Sequence, residues 1–166
     1  MNKYMLFLIL VVAVFAGCKQ KEQVKTVDLA AVEDTVSIEA DKFHSAYASN
    51  DLNTYSAYLL DDVLVCGTDP RELWSKKQFA EYRNDQFPDS VILETIPLQK
   101  EIKVSPDGKS AIVVVQLFVP AISSKIPVRN ITHMLKAGDK WKIDFISFSL
   151  ITENENIEKL DMALTK

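Results

Sequence analysis

The first part of the sequence carries apolar residues at the spacing of an α-helix. They recur at positions i, i+4, i+7 and i+11, which are occupied by Val36, Ala40, Phe43 and Tyr47. This pattern predicts a helix over residues 33–49 with a single apolar face. Asn50 tolerates the left-handed conformation that ends a helix, and Asp51 suits the N-cap of a short second helix over residues 52–60.

A short apolar strand, a turn and a third helix are predicted next. Residues 68–70 read Thr-Asp-Pro, which is the composition of a turn. Ser75, followed three residues later by Gln78, forms a capping box that marks the start of the third helix. Trp74 precedes this cap and is expected to pack on Phe79 as a hydrophobic staple. The same position would let Trp74 cover a pocket, and the sequence leaves both roles open.

The second half of the sequence has the pattern of a β-sheet. Extended runs rich in β-branched and apolar residues predict four strands, over residues 90–104, 110–119, 128–136 and 140–150. Gly-containing turns at residues 105–109 and 137–139 predict two hairpins, and residues 120–127 are expected to be a connection. Apolar residues at helical spacing predict a helical C-terminal tail over residues 152–166.

The last predicted strand carries large apolar residues on both faces. Strict alternation puts Trp141, Ile143 and Phe145 on one face, and Ile146 and Phe148 on the other. One face is expected to cover the helices. The second face then also needs a cover, which either the C-terminal tail or a second subunit would supply.

Four segments together resemble a known family: LLDDVLV at residues 59–65, GTDP at 67–70, WSKK at 74–77 and GDKWKIDFISFS at 138–149. They are similar to the SnoaL-like group of the nuclear-transport-factor-2-like (cystatin-type) superfamily. The resemblance covers most of residues 33–151, which we take as one domain. It implies an α+β fold, in which a curved antiparallel sheet of four to six strands wraps around three N-terminal helices to form a cone with a pocket. Members of this group include isomerases, cyclases and dehydratases, and also modules that only bind or dimerise.

The N-terminus has the pattern of a targeting segment. Residues 4–15 are almost entirely apolar and follow the single positive charge of Lys3. Residues 15–18, Phe-Ala-Gly-Cys, resemble a bacterial lipobox, which implies a signal peptide at residues 1–17 and a lipid on Cys18. An ordinary secretory signal with a chance cysteine is the alternative. The expected location is the bacterial cell envelope, periplasmic or at the outer membrane, with residues 18–32 as a tether.

Composition excludes several classes of function. The formal net charge is −4 and no basic stripe is present, so a nucleic-acid partner is not expected. If Cys18 is acylated, Cys66 is the only remaining cysteine and no internal disulfide can form. The two histidines, His44 and His133, lack the spacing of metal ligands, and the four glycines form no phosphate loop. We therefore expect no metal and no cofactor.

No catalytic set is expected from the sequence. Ketosteroid isomerases of the superfamily need an aspartate base and a tyrosine in the oxyanion hole. The resemblance aligns these two positions with Gly67 and Phe43, so that activity is not expected. His44 lies beside the apolar stripe of the first helix and is expected at the surface.

Five residues are candidates for a ligand pocket: Tyr47, Tyr58, Trp74, Arg129 and His133. Arg129 and His133 share one strand face; they would bind an acidic ligand if that face is concave, and would be ordinary surface groups if it is convex. Three functions stay open. The first is binding of a small apolar or weakly acidic molecule. The second is an interaction module that uses its sheet or tail to form a homodimer or to serve a membrane-anchored complex. The third is an isomerase, cyclase or hydratase that uses His133 or Asp144.

Overall fold

The computed structural model describes residues 26–86 and 92–165. The expected signal peptide, the lipid site Cys18 and most of the tether lie outside the described residues. The helices are α1 (Leu29–Ala48), α2 (Leu52–Tyr58), α3 (Lys76–Gln86) and α4 (Ile157–Leu164), the last preceded by a 3-10 turn at Asn154–Asn156. The strands are β1 (Leu59–Cys66), β2 (Leu73–Trp74), β3 (Ile96–Val104), β4 (Ser110–Val119), β5 (Ser123–Ala137) and β6 (Lys140–Leu150).

Helix α1 begins four residues before the predicted start, because Asp28 caps it. The Asp28 carboxylate accepts a hydrogen bond from the backbone N–H of Ala31 at 3.1 Å. The predicted apolar face of α1 is confirmed, with Val36, Ala40, Phe43 and Ala46 buried. Asn50 takes the left-handed conformation with φ of 59°. Asp51 caps α2 by accepting a bond from the N–H of Thr54 at 3.0 Å. Among the described helices, none is both long enough and apolar enough to cross a membrane.

The sheet has six strands in the order β2-β1-β6-β5-β4-β3 and curves around α1 without closing. All neighbouring strands are antiparallel except β1 and β6, which run parallel. The predicted α+β cone is therefore confirmed, but its sheet is mixed. The parallel pair arises because the chain crosses over through α3 after β1, and successive antiparallel strands then bring β6 beside β1.

Two strand boundaries differ from the prediction. Strand β5 begins at Ser123, five residues before its predicted start. A tight turn, closed by a hydrogen bond from the Ile122 N–H to the Val119 C=O at 2.8 Å, reverses the chain directly after β4. Because of Pro127, the sequence analysis assigned this part of β5 to a connection between strands. Strand β3 begins only at Ile96. Both predicted hairpin turns are present, with Gly108 and Gly138 at φ of 67° and 63°.

A bulge in β6 changes which side chains point inward. His133 pairs with Phe145 and Met134 pairs with Ile143, so Asp144 is an extra residue in β6. As a result Trp141, Ile143 and then Ile146 are buried on the concave face. The prediction that Phe145 shares the face of Trp141 and Ile143 is wrong, since a bulge reverses strict alternation from that point onward.

The core lies between α1 and the concave face of the sheet. Phe43 of α1 packs in one buried cluster with Val113, Met134 and Ile143 of the strands. The convex face is not covered by the tail, because every residue of α4 is exposed. The tail is helical as predicted, but the described residues of the chain leave the convex face to solvent.

Candidate functional site

A cavity of about 610 Å³ lies at the open end of the cone, between α1, the start of α3 and the concave faces of β3–β6. One wall is aromatic and is formed by Tyr47, Trp74, Phe79, Tyr82 and Phe148. The opposite wall is aliphatic and includes Leu93, Val115, Leu117, Val119, Ile122 and Val128. The lining also has polar residues, among them His44 and Glu72.

The capping box and its staple hold the aromatic wall in place. The Gln78 side-chain oxygen accepts bonds from the Ser75 N–H at 3.0 Å and from the Ser75 hydroxyl at 2.9 Å. Trp74 packs on Phe79 with ring centroids 5.5 Å apart and stacks on Tyr82 at 4.4 Å. Trp74 therefore acts as the predicted staple and also lines the cavity.

Tyr47, a member of the aromatic wall, has a cation on its ring. The Arg83 guanidinium lies 4.1 Å from the Tyr47 ring centroid and donates hydrogen bonds to Tyr47 C=O and Asn50 Oδ1, each at 3.0 Å. Burial raises the pKa of the Tyr47 hydroxyl. The phenol therefore stays protonated at neutral pH.

His44 enters the cavity from α1 and bonds to a buried asparagine. Its Nε2 lies 3.0 Å from Asn130 Oδ1, which also accepts a bond from the Thr132 hydroxyl at 2.8 Å. The Asn130 amide N–H₂ faces the carbonyl of Ser147 at 3.5 Å, and only an N–H can pair with that carbonyl. This orientation means that Nε2 carries the proton of the neutral imidazole. The other nitrogen, Nδ1, is then a hydrogen-bond acceptor.

Burial lowers the pKa of His44, and the hydrogen bond to Asn130 only partly offsets this. The charges nearest to it are Asp41 and Lys100. Lys100 Nζ bonds to both carboxylate oxygens of Asp41, at 2.8 and 2.9 Å, and to Ser37 Oγ at 2.8 Å. Asp41 and Lys100 thus neutralise each other at the cavity, beside an uncharged His44.

Glu72 supplies the second polar set, in space that Gly67 leaves open. A Cβ atom on Gly67 would lie 2.1 Å from Glu72 Oε2, so the carboxylate occupies the room of a missing side chain. The Asp69 N–H donates to Glu72 Oε2 at 3.0 Å and fixes its position. Burial raises the pKa of Tyr82, and the negative charge of Glu72 raises it further, which shows that the two side chains are close.

Three of the five pocket candidates lie outside this cavity. Tyr58 borders a separate depression of about 400 Å³ and donates a bond to Glu39 at 2.8 Å. Burial raises the pKa of Tyr58 to about 12, with a further contribution from Glu39. Arg129 and His133 lie on the convex face, because their neighbour Asn130 points into the cavity. Of the two alternatives for Arg129 and His133, the structure has the convex one, and neither residue lines the cavity.

The two residues proposed for proton transfer also lie outside the cavity. His133 Nδ1 is 2.7 Å from Asp144 Oδ1, and the side chains are 33% and 31% exposed. The sequence analysis missed His44 and Glu72 instead. His44 follows the buried Phe43, and its role depends on Asn130, a residue 86 positions away. For Glu72 the only local signal was the glycine at position 67. Within residues 26–86 and 92–165, no three potential metal ligands lie together.

Solved structures share this fold at low sequence identity. A protein of unknown function from Pectobacterium atrosepticum matches with a TM-score of 0.64 at 16% identity, covering 74% of this chain and 93% of that one. An NTF2-like protein from Cytophaga hutchinsonii matches with a TM-score of 0.58 at 19% identity, covering 71% and 97%. A candidate ketosteroid isomerase from Shewanella frigidimarina matches with a TM-score of 0.57 at 18% identity, covering 71% and 97%. These similarities establish the fold alone.

The sequence itself matches one family. No curated protein shows significant similarity to the chain. The family model described as the SnoaL-like domain matches residues 38–153, which is more than half of the chain and includes every element from within α1 to β6. The cone, the mixed curved sheet and this match agree, and the chain belongs to the SnoaL-like domain family.

Proposed function

We propose that the protein is a binding module that holds a small, largely apolar molecule in the cavity of its cone. The carrying observation is the cavity itself, with a volume of about 610 Å³ between an aromatic and an aliphatic wall. Typical small-molecule sites have roughly 300–1,000 Å³, are mostly apolar and carry a few polar groups that orient the ligand. The expectation of a weakly acidic ligand rested on Arg129 and His133, which do not line the cavity, and it is not retained.

Native mass spectrometry of the full chain released from detergent micelles tests this function. We expect a discrete adduct, or a site that takes up a small apolar probe in one-to-one ratio. The variant Leu117→Trp fills the cavity and should abolish binding. Gln116→Trp on the opposite face of the same strand is the matched control and should bind like the original chain. Equal binding by both variants would contradict the proposal.

A homodimer through the convex face of the sheet is the second candidate function. Leu64, Phe145, His133 and Ile112 are successive neighbours across β1, β6, β5 and β4 on this face. Leu64 and Ile112 are 45% and 44% exposed, so this strip of the surface carries exposed apolar side chains on either side of His133. A second copy of the chain would bury the strip symmetrically.

Sedimentation velocity of the full chain in micelles, with the detergent density matched, measures the oligomeric state. A dimer is expected, and Ile112→Lys should convert it to a monomer. Ile38 is exposed on α1, away from this face, so Ile38→Lys is the control and should leave the dimer intact. A monomer at every concentration would exclude the dimer.

We further propose that Cys18 carries the lipid that anchors the protein in the bacterial cell envelope. The support is the lipobox-like sequence at residues 15–18 after an apolar run. More than one acyl chain at about 0.8 kcal/mol per buried methylene would give a stable anchor. Labelling cells with an alkyne fatty acid should mark the original chain and not Cys18→Ser. Equal label on both would refute the anchor, and Cys66→Ser should retain it.

A further inference from the structure

Two side chains of the cavity, Glu72 and His44, offer hydrogen-bond acceptors to a ligand. Glu72 presents a carboxylate, and His44 presents the unprotonated Nδ1 of a neutral imidazole. The His44 side chain makes no hydrogen bond with a described residue other than Asn130. A ligand that pairs with both acceptors must therefore donate hydrogen bonds.

The charge of Glu72 has no ion-pair partner within the described residues. Its one polar contact there is the Asp69 N–H at 3.0 Å, which is uncharged. The nearby Arg71 is exposed and binds both oxygens of the Asp69 carboxylate instead, at 2.9 and 3.1 Å. A partly buried carboxylate without a cation is stabilised by a positive charge that enters the site.

Other features of the cavity lining also favour a positively charged ligand. Trp74 and Tyr82, which stack at 4.4 Å, line the same cavity as Glu72, and the faces of aromatic rings attract cations. Among the described residues of the lining the one lysine is Lys100, which is already bonded to both oxygens of Asp41. An anionic ligand would therefore meet the carboxylate of Glu72 in a lining whose described lysine is already paired.

We infer that the cavity selects an apolar ring compound that carries a protonated amine, held by Glu72 and the aromatic wall, and discriminates against carboxylic acids. This inference rests on the proposed binding function and narrows its ligand class. In the complex, the ammonium N–H groups donate to the carboxylate of Glu72, and the apolar body fills the space between the two walls.

Three probes with one ring system test this inference: naphthylethylamine, naphthylethanol and naphthylacetate, which are cationic, neutral and anionic at pH 7. Each is titrated against the full chain in micelles, and bound probe is measured by native mass spectrometry. We expect the amine to bind at least about tenfold more tightly than the acid, the ratio for one charge-assisted contact. Equal or tighter binding of the acid would overturn the inference.

The variant Glu72→Gln removes the charge and keeps an oxygen for the Asp69 N–H. This variant should bind naphthylethylamine about tenfold more weakly than the original chain, and its affinity for naphthylethanol should be unchanged. The matched control is Glu101→Gln, which removes one negative charge on the outward side of β3. Comparison with this control corrects for the partition of probes into the micelles. An unchanged amine affinity in Glu72→Gln would refute the role of Glu72.

The outcomes separate this inference from the proposed function. If naphthylethanol binds and the amine has no advantage, the ligand class is wrong and the binding module remains. If no probe binds and no native adduct is found, the binding function itself fails. The comparison of the three probes needs no variant, so it stands even if Glu72→Gln fails to fold.

Discussion

At the scale of single residues, His44 has the most consequential surroundings. Its Nε2 bonds to Asn130, its ring lies in the cavity, and burial lowers its pKa below the ordinary value of 6.5. Asp41 and Lys100 act on it with opposite signs and form an ion pair with each other. The folded protein thus binds a proton at His44 less readily than the unfolded chain does.

Acidification should destabilise the fold through His44. Below pH 6.5 the unfolded chain takes up a proton that folded His44 resists, so the free energy of unfolding falls with pH until the lowered pKa is reached. One proton limits this slope to about 1.4 kcal/mol per pH unit. Urea titrations between pH 7 and pH 5 measure it. His44→Gln should flatten the profile between pH 7 and pH 5. A slope as steep in His44→Gln as in the original chain would contradict the assignment.

Tyr55 offers a second test at this scale. Its hydroxyl is buried and has no hydrogen-bond partner among the described residues. Tyr55→Phe removes that unsatisfied group, so stability should be unchanged or higher, by up to about 1 kcal/mol. Tyr58→Phe is the control, because it deletes a real bond to Glu39 and should not stabilise. Thermal denaturation compares the stability of the two variants. A clear loss of stability in Tyr55→Phe would show that the Tyr55 hydroxyl has a hydrogen-bond partner.

At the scale of elements, local signals in the sequence were strongest where a few neighbouring residues decide the structure. The capping box at Ser75, the stop at Asn50 and the glycine turns at 108 and 138 all formed as predicted. The pattern of residues failed to predict the structure where contacts between distant positions of the chain determine it. The bulge at Asp144 depends on pairing with β5, and the start of β5 depends on a return turn that Pro127 disguises.

The capping box should contribute measurably to stability. Ser75→Ala removes the hydroxyl that faces Gln78 N–H at 3.4 Å and Gln78 Oε1 at 2.9 Å. We expect a loss of about 1 kcal/mol in the free energy of unfolding, which is typical of an N-cap. Ser75→Thr retains the hydroxyl and should lose much less. If chemical denaturation gives equal losses in the free energy of unfolding for Ser75→Ala and Ser75→Thr, the capping box is not the cause of the loss.

At the scale of the whole molecule, the concave face of the sheet has two parts with different energetics. One part packs on α1 and is filled, and the other lines the cavity. Val113 and Val115 lie on the same face of β4, two residues apart. Val113 is fully buried in the core, whereas Val115 lines the cavity.

This division predicts unequal costs for the same substitution. Val113→Ala should lower the free energy of unfolding by about 2 kcal/mol, from lost burial plus a new void. Val115→Ala should cost less than half as much, because it only enlarges existing space. Denaturant unfolding of the two variants measures the difference. Equal costs would mean that the cavity is closed or filled in the apo protein.

The sequence by itself determined the class of this protein. Helical and strand periodicity, caps and turns are local properties, and together with the segments shared with the SnoaL-like family they were enough to predict the α+β cone. Trp74 and Tyr47, two of the residues proposed for a ligand pocket, line the cavity, since both are large aromatics on elements that face the core.

Only the tertiary structure decided which polar residues line the cavity. Arg129 and His133 share the strand of Asn130, and only the curvature of the sheet determines that Asn130 points inward. Glu72 reaches the cavity because Gly67 lacks a side chain, and His44 is held as an acceptor by a residue from the opposite side of the cone. Such contacts join distant positions of the chain, so no local pattern of residues could encode them.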